Sequence, residues 1–212
     1  MKLFRKIRAD MIQKKKIINY ILYAIGEISL IVIGIWLALY LQNKNEDAKI
    51  QETVQTSIRL LKDEIVTNRT KIDNVKDYHI MVRDTLQKFD FTKSEIEISK
   101  RFGFWKGVRT PRLQDAAFQT SIQTGVSKEL NPKLLQALNN LYTYQDSYNN
   151  FTSQSTQIFF NADFTDKKSI ERTLTLVKMT MSDLYYYEKG LTESFDYCLK
   201  ITDSLYPLKT LK

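Results

Sequence analysis

Residues 17–41 form the longest apolar run of the chain and predict a membrane-spanning helix. These 25 residues contain a single charged side chain, that of Glu27. Because a helix rises about 1.5 Å per residue, the run would be about 37 Å long, which is enough to cross a hydrocarbon core of about 30 Å. Four aromatic residues lie near its two ends, where such rings favour the headgroup level: Tyr20, Tyr23, Trp36 and Tyr40.

The end of this run does not have the features of a signal-peptide cleavage site. Signal peptides have an apolar region of about 7 to 15 residues that ends in a small-x-small pattern. Here the run is longer and ends in Ala38-Leu39-Tyr40-Leu41-Gln42. We therefore expect residues 17–41 to be retained as a membrane anchor.

A heptad pattern follows the apolar run and predicts a helix over residues 46–88 that is continuous with the span. Apolar side chains recur at alternating steps of four and three residues, which is the spacing of a coiled-coil seam. A second seam predicts a helix over residues 166–206. The first seam consists of Val54, Ile58, Leu61, Ile65, Asn68, Ile72, Val75, His79, Val82 and Leu86, and the second of Ile170, Leu174, Val177, Met181, Leu184, Glu188, Leu191, Phe195 and Cys198.

Two proline motifs predict shorter helices between these seams. Thr110-Pro111 and Asn131-Pro132 each place a capping side chain before a proline, which is favoured at the first turn of a helix. We expect helices over residues 111–124 and 132–160, the first ended by Gly125. Residues 89–109 are expected to form a loop with local structure, since Ser94 and Glu97 fit a capping box but Ile96 and Ile98 alternate with charges as in a strand.

These patterns predict an all-α fold. We expect an N-terminal transmembrane helix that continues into a long stalk helix, and a bundle of about four helices within residues 43–212.

Charge is concentrated in an N-terminal arm, residues 1–16, which has a net charge of +6 out of +8 for the whole chain. A basic arm can bind nucleic acid or lipid, and the adjoining apolar run favours lipid. Residues 43–62 contain only four lysines and arginines, so we expect the arm to stay in the cytoplasm and residues 43–212 to be exported. The basic side chains expected at lipid headgroups are Lys2, Arg5, Lys6, Arg8, Lys14, Lys15 and Lys16. The arm is either a short helix on the inner leaflet or a disordered topology signal.

Short motifs in and after the apolar run carry a resemblance to a known family. They are Leu22-Tyr23-Ala24-Ile25-Gly26-Glu27-Ile28, Leu30-Ile31-Val32-Ile33-Gly34-Ile35, Ala38-Leu39 and Asn43-Lys44-Asn45-Glu46. Over these residues the chain resembles a family of uncharacterised bacterial membrane proteins, known only as a domain of unknown function. The family usually has tryptophan where Lys44 stands. The resemblance implies a bacterial inner-membrane protein with a periplasmic C-terminal domain, and it implies no activity.

Composition excludes several classes of chemistry. One cysteine and one histidine exclude an internal disulfide and a zinc site built from several Cys and His ligands. The sequence contains no nucleophile elbow, phosphate-binding loop or calcium loop. We therefore expect a protein that is not an enzyme and that uses no metal or cofactor.

Glu27 is expected to mark a contact within the membrane. An ionised carboxylate in lipid is costly, so Glu27 should be protonated or face a partner helix or a wet cavity, unless it lies high enough to reach the headgroups. One helix face also carries a row of residues at steps of four, with a small-x-x-x-small pair that allows close helix approach. This association surface consists of Gly26, Glu27, Leu30, Gly34 and Ala38, and its partner would be a second copy or another membrane subunit.

Three polar residues, Asn68, His79 and Glu188, interrupt the apolar seams. A polar seam residue can fix helix register or oligomeric state, and a histidine there can titrate as a switch. We favour the simpler interpretation that each lies at a bundle edge or pairs locally. Cys198, also on a seam, is expected to be a buried small hydrophobe.

Two functions fit these features. The first is a non-enzymatic scaffold or interaction subunit of an envelope complex, which associates through its transmembrane helix and helical stalk. The alternative is a sensory, transport or channel subunit whose exported helices bind a ligand or feel force and relay this through Glu27.

Overall fold

The computed structural model describes the backbone of residues 2–92, 97 and 102–207, and the side chains of these residues from 16 onward except 17, 19, 20, 23 and 102. Over this part of the chain the protein is all-helical and has no strand, as predicted. Four α-helices have both ends within the described residues: α1 (Lys2–Gln87), α2 (Ala116–Gln123), α3 (Pro132–Phe160) and α4 (Lys167–Leu205). Two short 3-10 helices cover Phe102–Phe104 and Val126–Glu129. The alternatives considered for Ser94, Ile96 and Ile98 lie outside the described residues.

The chain forms two compact units, Met1–Glu52 and Thr53–Lys212. The first unit is helical from Lys2 onward, as the N-terminal part of α1. The backbone of the basic arm is therefore helical and continuous with the apolar run. This agrees with the expected helix and not with the alternative of a disordered arm. Helix α1 is also long and apolar enough to cross a membrane, and none of its most apolar window of 18 residues is buried inside the protein.

The second unit has an apolar core that confirms the two predicted seams. Its largest fully buried side chains come from α1, α3 and α4, and α3 packs against α4. Burying a Leu, Ile or Phe side chain contributes about 1.5–3 kcal/mol, so the seams account for much of the driving force for folding. Fully buried residues of the core are Leu61, Ile65, Ile72, Leu174, Met181, Leu184 and Phe195 of the seams and Leu134, Leu138 and Leu141 of α3.

Local capping groups set the ends of three helices, and those at Asn131 and Gly125 were predicted from the sequence. Asn131 accepts a hydrogen bond from Lys133 N and precedes a proline in the first turn of α3. Asp166 accepts one from Ser169 N at the start of α4, and this bond lowers the pKa of the Asp166 carboxyl. Gly125 has a φ of 77° just after the end of α2, in the left-handed region that glycine adopts without a steric penalty.

The predicted helix 111–124 is wrong over its first turn. Helix α2 begins at Ala116, and residues 105–115, which we call the strap, contain no regular secondary structure. A cap followed by a proline favours a helix only when the next backbone groups are free to form helical hydrogen bonds. In the strap several of those groups are instead bonded to side chains of α1 and α3.

Candidate functional site

Side chains of α1 hold the strap at its N-terminal end. The hydroxyl of Tyr78 accepts from Lys106 N at 2.8 Å and donates to Gly107 O at 2.7 Å. One residue further along each segment, the Nε2 atom of His79 lies 2.7 Å from Val108 O. Two consecutive residues of α1 therefore fix the backbone of three consecutive residues of the strap.

Side-chain amides hold the other end of the strap. Asn68 accepts from Gln114 N at 2.9 Å and donates to Gln114 O at 2.6 Å, so its amide pairs with both backbone groups of one residue. The Nε2 atom of Gln145 donates to the same Gln114 carbonyl at 2.8 Å. Asn149 pairs with Leu113 in the same two-way manner, at 3.1 and 3.2 Å. These amides satisfy backbone groups of the strap that are partly buried, and such groups are costly to leave without a partner.

Glu64 caps helix α2 from a distance. Asp115 stands at the N-cap position but makes no capping bond with its side chain. Instead, Glu64 of α1 accepts from Ala117 N at 2.8 Å and from the Tyr142 hydroxyl at 2.7 Å. Burial, together with this neighbouring carboxylate, raises the pKa of Tyr142. Glu64 therefore supplies the acceptor that the first turn of a helix requires.

A buried His–Glu pair lies at the centre of this network. The Nδ1 atom of His79 is 2.7 Å from Oε1 of Glu188, and the two side chains are 0% and 2% exposed. Since a carbonyl oxygen only accepts, the bond to Val108 O requires a proton on Nε2, and Nδ1 and Oε1 then share a further proton. The Tyr148 hydroxyl lies 3.5 Å from the same Oε1. Burial raises the pKa of this phenol, and the neighbouring Glu188 carboxylate raises it further. The Oε2 atom of Glu188 is buried without a partner among the described residues.

The prediction that Asn68, His79 and Glu188 lie at bundle edges or pair locally is therefore wrong. All three are buried, and the hydrogen-bond partners of their side chains are 29 to 109 residues away in the sequence. Seam spacing identifies the face on which a residue lies but not the group opposite to it. Sequence reasoning also missed Tyr78, Gln145 and Asn149, which bind the strap, and Glu64, which caps α2, because no local signal marks a side chain whose partner is a distant backbone group. The prediction for Cys198 is confirmed: it is buried, and burial raises its pKa to about 11.

The association surface in the first unit makes no contact within the protein. Gly26, Glu27, Leu30, Gly34 and Ala38 are exposed, and no atom would lie within 4 Å of a Cβ added at either glycine. Among the described residues Glu27 is in none of the ion pairs. Association through this surface stays a prediction.

The headgroup contact of the basic arm falls largely outside the described side chains. Lys16 is described and is exposed. The side chains of Lys2, Arg5, Lys6, Arg8, Lys14 and Lys15 lie outside the described residues.

The strap and α3 border a groove of about 990 Å³ in the second unit. Its lining is mainly amides, hydroxyls and a few charges, among them Arg112, Gln114, Asp146, Asn150, Ser153 and Gln157. Within the described part of the chain, no three His, Cys, Asp or Glu side chains are grouped as a metal site. The amides and hydroxyls of this lining can form hydrogen bonds.

Comparison with protein-family models, with curated proteins and with solved structures gives no match to this chain. The likeness of the apolar run to the uncharacterised membrane family stays a prediction.

Proposed function

We propose that the protein is a non-enzymatic, single-span membrane protein that serves as a scaffold or interaction subunit of a bacterial envelope complex. One observation carries this proposal. Helix α1 contains a long apolar segment of which nothing is buried inside the protein, while the second unit closes an apolar core of its own. The apolar segment is thus not needed to complete the fold.

A bilayer is the environment that best accounts for the exposed segment. The side chains of Leu22, Ile28, Leu30, Ile31 and Trp36 are each more than half exposed. Soluble monomers rarely expose contiguous apolar patches larger than a few hundred Å². Transfer of these apolar side chains from water into lipid is favourable, and a helix satisfies its own backbone hydrogen bonds there.

Extraction with alkaline carbonate tests the membrane anchor. The full chain is expected to stay with the membrane pellet, as an integral protein does. The double variant Ile31→Lys/Ile35→Lys is expected to reduce insertion, because each lysine at the centre of a span costs about 2.5–3.5 kcal/mol. Release of the unaltered chain by carbonate would contradict the proposal.

Cysteine labelling tests the orientation, with the N-terminus in the cytoplasm and residues 43–212 in the periplasm. In a Cys198→Ser background, single cysteines replace the exposed residues Lys16 and Lys44. A membrane-impermeant maleimide is expected to label Lys44→Cys in intact spheroplasts, and Lys16→Cys only after permeabilisation. The reverse pattern would contradict the proposed orientation.

We propose further that the association surface joins the span to a second copy or to another membrane subunit. Gly34→Leu adds bulk to this surface, and Val32→Leu is a matched control because position 32 lies on the opposite side of the helix. We expect Gly34→Leu and Glu27→Gln to reduce co-purification in mild detergent, and Val32→Leu to leave it unchanged. A monomer in every detergent would contradict the scaffold role.

The groove beside the strap favours the alternative function, a sensory or transport subunit that binds a ligand in the exported unit. Groove volumes of roughly 300–1,000 Å³ are typical of small-molecule sites. In this alternative Glu27 relays the bound state to a partner. Glu27→Gln would then change the activity of the complex even where co-purification is retained, whereas a scaffold would lose both together.

A further inference from the structure

A second concavity lies between the strap and the end of α3. Its lining is more apolar than that of the groove described above. It has a volume of about 390 Å³ and is lined largely by apolar groups, including Trp105, Val108, Phe159 and Phe160. The rings of Trp105 and Phe159 meet edge to face with centroids 5.6 Å apart. Phe160 is 85% exposed, although a phenylalanine gains most from burial. We call this concavity the aromatic pocket.

The aromatic pocket has one charged residue in its lining, Arg109, and no acidic one. The guanidinium of Arg109 lies 5.3 Å from the centre of the Tyr78 ring, over its face. Such a contact favours one position of the cation without neutralising it. Among the described residues Arg109 has no carboxylate partner. The pocket therefore combines an apolar wall with a cation that is free to pair with an anion.

The backbone at Arg109 is also unusual. Its φ is 52°, and no other non-glycine residue in the described part of the chain has a positive φ. This conformation is disfavoured for a residue with a Cβ atom and persists only where the surroundings hold it. Here the neighbouring carbonyls are held by two residues of α1: Gly107 O by the half-buried Tyr78 and Val108 O by the buried His79. Strained residues held in this way cluster at ligand sites.

We propose that the aromatic pocket binds a small amphipathic carboxylate. The aromatic or alkyl body of the ligand packs against Trp105, Phe159 and Phe160, and its carboxylate accepts hydrogen bonds from the Arg109 guanidinium. Arginine suits this role because its planar donors match the two oxygens of a carboxylate. An amphipathic cation would have no counter-charge in this lining. The site lies entirely within the second unit and does not depend on membrane anchoring.

The test uses the full chain in lipid nanodiscs, with Trp36→Phe so that Trp105 is the single tryptophan reporter. The chain has two tryptophans, and Trp36 lies in the apolar run. The probe is 3-phenylpropionate, and its matched neutral control is 3-phenylpropanamide. We expect 3-phenylpropionate to change Trp105 emission saturably and the amide to bind at least about tenfold more weakly, because a charge-assisted hydrogen bond is lost.

Arg109→Gly separates the guanidinium from the backbone. Glycine adopts a φ of 52° without strain, so this variant keeps the strap conformation while it removes the cation. We expect it to weaken 3-phenylpropionate binding about tenfold or more. Arg112→Gln removes an exposed arginine of the same strap that lines the polar groove instead, and should bind as the parent does. Protection of Cys198 from labelling verifies that each variant is folded.

Three results would overturn the proposal. They are equal affinities for the acid and the amide, unchanged binding by Arg109→Gly, and the absence of any saturable change in Trp105 emission with the folded parent.

Discussion

Replacing His79 with leucine is predicted to destabilise the bundle strongly. The substitution removes the imidazole from its two partners, the Glu188 carboxylate and the Val108 carbonyl, each of which lies 2.7 Å from a ring nitrogen. Glu188 is 2% exposed, and the Tyr148 hydroxyl at 3.5 Å would be its closest remaining donor. Removing one member of a buried ion pair costs about 3–5 kcal/mol, because the other is left buried and uncompensated.

The double variant His79→Leu/Glu188→Met should cost less than either single change. Replacing both members of a buried pair with apolar residues of similar volume is often neutral or stabilising. The unpaired Val108 carbonyl remains and costs about 1–3 kcal/mol. The double-mutant cycle should therefore give a coupling energy of several kcal/mol, far above the error of additivity, which is about 0.5 kcal/mol.

The assay is maleimide labelling of Cys198 against urea concentration, with the full chain in nanodiscs. Cys198 is the only cysteine and is buried, so its labelling reports opening of the bundle. For a urea dependence of about 2 kcal/mol per molar, the loss in His79→Leu lowers the midpoint by about 2 M. Lys76→Ala is the control, since it removes an ion pair to Asp73 that is partly exposed and should change stability by less than about 1 kcal/mol. Single variants that each cost less than about 1 kcal/mol, with additive effects, would refute the buried coupling.

Further predictions follow from the cysteine, one tyrosine and one glycine. Cys198, whose pKa burial raises to about 11, should resist a maleimide at neutral pH and react in urea; rapid labelling of the folded chain would contradict this. Burial raises the pKa of Tyr142 above its ordinary value of about 10, and the hydrogen bond to Glu64 raises it further. The folded chain therefore keeps a proton that the unfolded chain loses, so stability should be complete below about pH 10 and fall above it. Tyr142→Phe should flatten that alkaline fall in the urea midpoint, and an unchanged slope would count against it. A Cβ at Gly190 would lie 2.6 Å from the Tyr144 hydroxyl, so Gly190→Ala alone should not increase the free energy of unfolding. In a Tyr144→Ala background the same substitution should increase it by up to about 1 kcal/mol. Equal effects in both backgrounds would exclude that clash.

The helix ends show which features a local signal can predict. Asn131 and Pro132 act on backbone groups of the same turn, and the predicted and observed bounds of α3 agree at both ends. Thr110 and Pro111 form the same kind of signal, yet α2 begins only at Ala116. The difference arises because α1 and α3 supply other partners for the strap backbone, and these partners lie far away in the sequence.

The candidate site follows the same division. Seam spacing predicted that the faces of α1 and α4 carrying His79 and Glu188 would be buried, but not that these residues bind each other across 109 residues of sequence. Nothing near Arg109 in the sequence indicates its left-handed backbone, because that conformation is imposed by Tyr78 and His79 through neighbouring carbonyls.

The sequence by itself determined the helical class and the segment that can cross a membrane, because length, apolarity and heptad spacing are properties of consecutive residues. Only the tertiary structure decided the course of the strap, the partners of the buried polar groups and the aromatic pocket. Each of these depends on hydrogen bonds or ring contacts between residues tens of positions apart, and such pairings exist only once α1, α3 and α4 have packed together.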